Sequence, residues 1–292
     1  MTKYKLLKND YKQLPDGTKV YRIQATKSFG SVKKGEKGGY LESKDNLSGS
    51  GDAWVCGNAQ VYGNAWVSGN ARVCGDARVY DKAWVAGNAW VAGNAWVSGN
   101  ARVYGEAQVY DGAWVYDNAW VYGGARVYGD TQVHDGAWVY GDARVYDKAW
   151  VSGKAWVAGN AQVYGEARVS GNAWVAGNAQ VYGNAWVYGG ARVYGEAQVY
   201  DGAWVYGDAW VCGGARVYGI MSCTQSPINI IIPQLYPITI TQERKNQNYI
   251  AVGCVVHTKK EWLKKWRSIA KKHKVSTKGI KNILTAIKLL AK

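Results

Sequence analysis

GDAWVCGNAQVYGNAWVSGNARVC, residues 51–74, is one unit written four times, and the same unit runs on without insertion or deletion to Tyr218, giving 28 consecutive hexads. Slot five is Val in every hexad, and slot three is Ala in all but one, where Thr131 stands. In an extended chain residues two apart share a face, so Ala and Val point one way and slots four and six the other. The small apolar pair is the inward face. Slots one and two are mostly Gly-Asn, Gly-Asp or Asp-Gly, residues that tolerate positive φ where a chain must corner. So short a strand cannot bury its apolar side alone, and the hexads must stack on their own copies, as a solenoid does.

The pattern V-x-x-x-A-x resembles the hexapeptide-repeat family of left-handed parallel β-helices. The resemblance implies three hexads per triangular coil, left-handed crossovers and frequent homotrimers, none of which follows from the period itself. The fold class expected is therefore an all-β solenoid, a left-handed parallel β-helix of 28 hexapeptides. About nine coils at about 4.8 Å spacing make a rod roughly 45 Å long. Slot six departs from the family pattern, being Tyr in 16 of 28 hexads, so the corners should be aromatic.

With three hexads per coil, slot four sorts into three outward ladders. The first is Trp66, Trp84, Arg102, Trp120, Trp138, Trp156, Trp174, Arg192 and Trp210. The second mixes Gln60, Arg78, Trp96, Trp114, Gln132, Trp150, Arg168, Trp186 and Trp204, and in the third the only aromatics are Trp54 and Trp90. An apolar stripe of this kind should contact something, since soluble monomers rarely expose patches beyond a few hundred Å². Two readings stand: packing between subunits, or a ligand surface in which Trp and Tyr faces beside Arg hold a base, sugar or nucleotide.

The ends differ from the array in charge and pattern. Residues 1–50 carry 11 basic and 5 acidic side chains, the repeats 11 and 14, and residues 219–292 carry 14 and 2. Residues 1–50 are read as an N-terminal leader that covers the open end of the solenoid, 51–218 as the β-helix, and 219–292 as a basic α+β domain. Lys33, Lys34 and Lys37 in the leader fit a solvated turn better than a phosphate site. In the tail, 237–242 and 249–257 read as two strands. A helix follows, with Thr258 and Glu261 as a capping box and Trp262, Leu263, Trp266, Ile269 and Ala270 as its apolar face. A second helix is expected at about 277–291. The first helix offers Lys259, Lys260, Lys264, Lys265, Arg267, Lys271, Lys272 and Lys274 to solvent, a density suited to an anionic partner, nucleic acid included. YRIQA (21–25), FGSVKKGEKGGYLES (29–43), NLSGSGDAWV (46–55) and the Gly253-Cys254 strand before a helix resemble a group of phage and prophage hexapeptide proteins over nearly the whole chain.

Five cysteines without a C-x-x-C pair argue against a disulfide framework or a metal site. Cys56 and Cys74 share one slot in hexads three apart, so they would be stacked neighbours if three hexads make one coil, and a bond between them is allowed but not required. Relatives in the wider hexapeptide family are often acyltransferases, which are similar to one another in a catalytic His beside the coils and a loop that leaves them. Here the array has no loop, and its only His is His134, in the corner slot that Tyr holds in 16 hexads. Slots one and two hold the array's Asp and Glu, where turn chemistry explains them. No run approaches the 18 or so apolar residues of a membrane span. The reading is a non-catalytic protein of the cytoplasm, the host's if phage-encoded, with no cofactor, no metal and no membrane partner. It is expected to be a homo-oligomer, a trimer foremost, holding an anionic nucleotide-like ligand and so able to sequester a host-defence nucleotide signal. A structural rod and an acyltransferase are the alternatives.

Overall fold

The computed structural model describes residues 2–219. Beyond them it describes strands at 222–223, 228–230, 238–242, 248–252 and 255–258, the helix Lys259–Lys272 and residue 284, with side chains again from 258 to 268 and at 284. Its body is a parallel β-solenoid of about ten turns. Three sheets run along it, of 13, 10 and 9 strands. Each array strand pairs in parallel with the strand three hexads on, Trp66 with Trp84 and Trp84 with Arg102, so three hexads make one coil. The three outward ladders expected from slot four are therefore the three sheets. They are called here the Trp sheet (Trp66 to Trp210), the mixed sheet (Gln60 to Trp204) and the polar sheet (Trp54 to Arg216).

The interior is made of two residue types. Across the array slot-three Ala and slot-five Val are 0–1% exposed, one large core stacked coil on coil. Thr131 is buried among them, and its hydroxyl donates to the Tyr128 carbonyl, which satisfies the one polar side chain in the array's inward slots. Consecutive coils are joined by backbone bonds of one repeating form: Trp66 N–H donates to Ala83 O, Ser68 to Val85 and Asn70 to Gly87, at 2.8–3.0 Å. Slot one carries the corner. Its residues take φ near +65°, as at Gly57 and Gly87, and where Gly is replaced only Asp appears, at φ 57° to 63°. Gly99 shows why side chains are rare there: a Cβ would lie 2.7 Å from the Asp117 nitrogen of the next coil.

The leader is part of the solenoid rather than a separate lid. β1 (Tyr4–Gln13) and β2 (Lys19–Ala25) form an antiparallel hairpin, β2 pairs with β3 (Lys37–Leu41), and β3 pairs in parallel with the strand at Gln60. Leu41 lies over Val61 and Leu47 over Val67, a step slightly longer than three hexads, so the extra length of the Ser48–Gly51 stretch is taken up before the array begins. Lys3 closes the end. Its side chain is 1% exposed and its ammonium donates to the carbonyls of Ser50, Gly51 and Ala53. Burial lowers its pKa to about 8, against the pull of Asp52.

Two expectations fail at this end. Trp54, assigned to an outward ladder, is 1% exposed, because Phe29 packs edge-on at 5.5 Å and β3 lies over it. Gln60 is likewise covered, at 8% exposed.

At the other end strands Ile228–Ile230, Ile238–Gln242, Asn248–Val252 and Val255–Thr258 form a four-stranded antiparallel sheet. The stretch 249–257, expected as one strand, is two, with the chain reversing between Val252 and Val255. An apolar run cannot reveal such a reversal by periodicity alone. Thr258 and Glu261 exchange the capping-box hydrogen bonds at the start of the helix Lys259–Lys272. Trp262 is buried there, whereas Leu263, expected on the same apolar face, is 39% exposed. The expected helix at 277–291, residue 284 apart, and Cys254 lie outside the described residues.

Candidate functional site: two clefts in the Trp sheet

Slot six and slot four meet between coils. A corner Tyr lies edge-on to the slot-four residue of the next coil: Tyr104 to Trp120, Tyr122 to Trp138 and Tyr140 to Trp156, at 6.2–6.3 Å and 75–76°. Corner tyrosines also stack on one another. Tyr110, Tyr128, Tyr146, Tyr164, Tyr182, Tyr200 and Tyr218 form one continuous pile beside the polar sheet, with centroids 4.8–5.1 Å apart.

Beside the Trp sheet the pile is broken by alanines. Where Ala86 and Ala176 stand, no corner tyrosine covers the slot-four residue of the next coil, and in both cases that residue is Arg, Arg102 and Arg192. Each gap is a cleft, of about 320 Å³ and about 350 Å³. The walls correspond position by position: Trp84, Ala86, Arg102, Tyr104 and Trp120 in one, Trp174, Ala176, Arg192, Tyr194 and Trp210 in the other. Arg102 sits 5.7 Å from the Trp84 ring and 4.7 Å from Trp120, and Arg192 sits 5.7 Å from Trp174 and 4.9 Å from Trp210. Neither guanidinium forms an ion pair among the described residues. Stacking uses the guanidinium faces and leaves its N–H edges for an anion. The clefts lie five coils apart, about 24 Å along the rod.

The expected site residues fall into two groups. Trp66, Trp84, Arg102, Trp120, Trp138, Trp156, Trp174, Arg192 and Trp210 share one sheet in register. Trp66, Trp84, Trp156, Trp174 and Trp210 are 39–45% exposed. Trp120 and Trp138 are half-buried because they stack on each other at 4.9 Å beneath Tyr104 and Tyr122. On the terminal helix Lys260, Lys264, Lys265 and Arg267 are exposed or partly so and Lys259 is half-buried, while Lys265 pairs with Glu261 one turn back. The side chains of Lys271 and Lys272 lie outside the described residues. Among the leader lysines, Lys37 pairs with Asp10, and the Lys33 and Lys34 amides donate to Glu36 and Ser28, which makes their segment an ordinary turn.

One feature stood open in sequence and another was missed. Cys56 and Cys74 are bonded to each other, stacked in the first two coils. His134 has its Nδ1 3.3 Å from the carboxylate of Asp135, the next residue in the chain. Ligand atoms of Asp117, His134 and Asp135 all lie within 4.8 Å of one another and could hold a divalent cation. No metal-like spacing announces this group, because Asp117 and Asp135 become neighbours only when the chain closes a three-hexad coil. The signal available was that they are the only slot-one aspartates one coil apart, with the array's only His between them. His134 Nε2 is buried without a hydrogen-bond partner, and the ring stacks on Tyr116.

The fold defines a repeat β-solenoid protein. Six segments of the array, 59–74, 71–87, 95–111, 137–153, 161–177 and 179–195, match the sequence model of the YdcK Beta solenoid repeat, and these segments include most of both clefts. No curated protein matches the chain. No helix among the described residues is long and apolar enough to cross a membrane.

Proposed function

We propose that this chain is a non-catalytic binding protein that holds nucleotide-like anions in the two Trp-Arg clefts. One observation carries the reading. A pocket with Arg at its centre, Trp on both sides and a vacant ring position beside Tyr occurs twice with the same residue types at every wall. An aromatic ring in place of the absent Tyr would stack on Tyr104 or Tyr194, and its anionic group would meet the guanidinium edge. The volumes suit a nucleoside-sized ligand. The same geometry weighs against catalysis. His134, the array's only histidine, has one ring nitrogen against Asp135 and the other buried, leaving no nitrogen free toward a substrate, and the array's Asp and Glu stand in the turn slots.

The reading includes left-handed coils and a homotrimer, which the family resemblance implies, and a separate C-terminal α+β domain, which the strand and helix patterns of 219–292 suggest. It also includes a phage-encoded role in host cytoplasm, sequestering a defence nucleotide. The Cys56–Cys74 bond weighs against the cytoplasmic part of this reading, since disulfides persist mainly in oxidising surroundings.

The test is a thermal-shift and calorimetric screen of the purified chain against linear and cyclic nucleotides, ADP-ribose derivatives, acetyl-coenzyme A and short DNA. A ligand at 100 times its dissociation constant adds about 2.7 kcal/mol to stability. The expected result is two equivalent sites per chain for one small nucleotide, recovered unchanged. Turnover of acetyl-coenzyme A, or no nucleotide binding at all, rejects the proposal, and co-purification with virus particles would favour a structural rod instead.

A further inference from the structure

Three side chains that ligate metals meet at the corner between the mixed sheet and the Trp sheet. Ligand atoms of Asp117, His134 and Asp135 lie within 4.8 Å of one another, and none of the three lines a Trp-Arg cleft. Asp117 and Asp135 hold, at φ 57°, the left-handed corner position that glycine fills in most coils. Elsewhere such an aspartate has a structural use. At Asp81, Asp135 and Asp147 a carboxylate oxygen accepts the amide of the glycine one coil on, Gly99, Gly153 and Gly165. Asp117 has no glycine there, because Asp135 stands in that place, and its carboxylate accepts no hydrogen bond among the described residues. The two carboxylates lie side by side across one coil step with no Lys or Arg in ion-pair reach among the described residues. Coulomb repulsion opposes such a pair unless a cation stands between its members.

The histidine supplies the third ligand and decides which cation fits. Its ring is held on two sides, stacked on Tyr116 at 4.7 Å and 7° and edge-on to Trp150 at 5.8 Å and 89°. Nε2 is buried, so Nδ1 is the nitrogen presented to the carboxylates, 3.3 Å from Asp135 Oδ2. That separation is long for a charge-assisted hydrogen bond and close to the roughly 3.4 Å between two ligands of a tetrahedral zinc ion, each about 2.0–2.1 Å from the metal. The Asp117 side chain is exposed and closes on the same point by rotation. The Gly153 amide, donating to Asp135 Oδ2 at 3.1 Å, orients that carboxylate from the outer shell. Ca²⁺ and Mg²⁺ take about six or more oxygens. The corner offers few, since the Asp117 and Asp135 carbonyls already accept the Asn100 and Asn118 amides. One imidazole with two carboxylates suits a borderline transition metal instead. We propose that Asp117, His134 and Asp135 bind one divalent transition-metal ion, Zn²⁺ first, which bridges two successive coils with water completing its coordination.

The experiment is calorimetric titration of the full-length chain, stripped with a chelator, with Zn²⁺, Mg²⁺ and Ca²⁺, together with the visible spectrum on adding Co²⁺ in place of Zn²⁺. Zn²⁺ should bind this site roughly 100-fold more tightly than Mg²⁺ or Ca²⁺ and raise the melting temperature, and Co²⁺ should show the d–d bands of a low-coordinate N/O site. His134→Tyr puts in the corner the residue that Tyr116 and Tyr188 supply in the same column, so the fold is kept. It should weaken Zn²⁺ roughly 100-fold and abolish the Co²⁺ bands. Asp117→Gly restores the usual corner residue and should weaken Zn²⁺ as much, while the metal-free variant melts higher than the metal-free wild type because the repulsion is gone. Zn²⁺ held elsewhere, by Cys212 or by the terminal histidines, would bind both variants as it binds the wild type. No bound Zn²⁺, equal affinity for Zn²⁺ and Mg²⁺, or unchanged Zn²⁺ affinity in His134→Tyr and Asp117→Gly overturns the assignment.

Discussion

Two corners of the same coil follow different rules. Beside the polar sheet slot six is Tyr in seven successive coils and the rings close into one pile, from Tyr110 to Tyr218. Beside the Trp sheet the same slot reads Ser68, Ala86, Tyr104, Tyr122, Tyr140, Ala158, Ala176, Tyr194 and Cys212. Both corners carry the same buried Ala and Val and the same positive-φ turn. The comparison teaches that the solenoid constrains slots one, three and five and leaves slot six open. An alanine there is thus not a packing requirement. It becomes informative when it uncovers an arginine, as Ala86 and Ala176 do.

The largest expected effect comes from making the second corner resemble the first. Ala86→Tyr with Ala176→Tyr should fill both clefts and weaken adenosine monophosphate binding at least 100-fold, about 2.7 kcal/mol, with stability held or raised. Calorimetry measures the first and a melting curve the second; unchanged affinity would place the ligand elsewhere.

Opening the first corner is the converse. Tyr128→Ala removes the stacks on Tyr110 and Tyr146, 4.9 Å and 5.1 Å between centroids, at a cost of about 2 kcal/mol read by chemical denaturation. It also uncovers Arg144, the slot-four residue of the next coil. In its sheet Arg144 pairs with Arg126 and Gln162 rather than with Trp. No adenosine monophosphate site should appear, and if one does, the Trp walls are dispensable.

The smallest effect is on pH dependence. Burial, then the neighbouring stacked tyrosines, raises the Tyr146 and Tyr182 phenols to about 12. A folded value above the ordinary value of about 10 means that the neutral phenol is favoured in the folded state. That contribution is intact below about pH 10 and is lost as pH rises through about 12. Tyrosinate absorbance should rise and melting temperature fall in step over this window in the wild type. Ionisation of the whole pile near pH 10 would contradict it.

Local rules were sufficient for much of this architecture. The inward Ala and Val follow from alternation, the corner from Gly and Asp in slot one, and the capping box from Thr258 and Glu261 standing three apart. The three ladders needed one further premise, the three-hexad coil, which the family resemblance supplied and the pairing of Trp66 with Trp84 bears out. The clefts were legible on that premise, since Ala86 and Arg102 stand in slots six and four of hexads one coil apart, and their meeting is a matter of coil length. Leu263 was assigned to a buried face from helical spacing alone, and which part of a face is covered depends on the strands beside it.

What the sequence by itself determined is therefore what repeats: the unit, its inward pair, its turn chemistry and the order of side chains along each sheet. A period fixes neighbours at a constant separation, so contacts within the array can be worked out from numbering. Only the tertiary structure decided the contacts that have no period. The hairpin of residues 4–25 and the strand after it cover Trp54 and Gln60, Lys3 closes the open end, and Asp117 and Asp135 converge on His134. Each depends on where an irregular segment or an exceptional residue comes to lie in three dimensions, and that is set by burial and hydrogen bonding across long sequence separations rather than by local pattern.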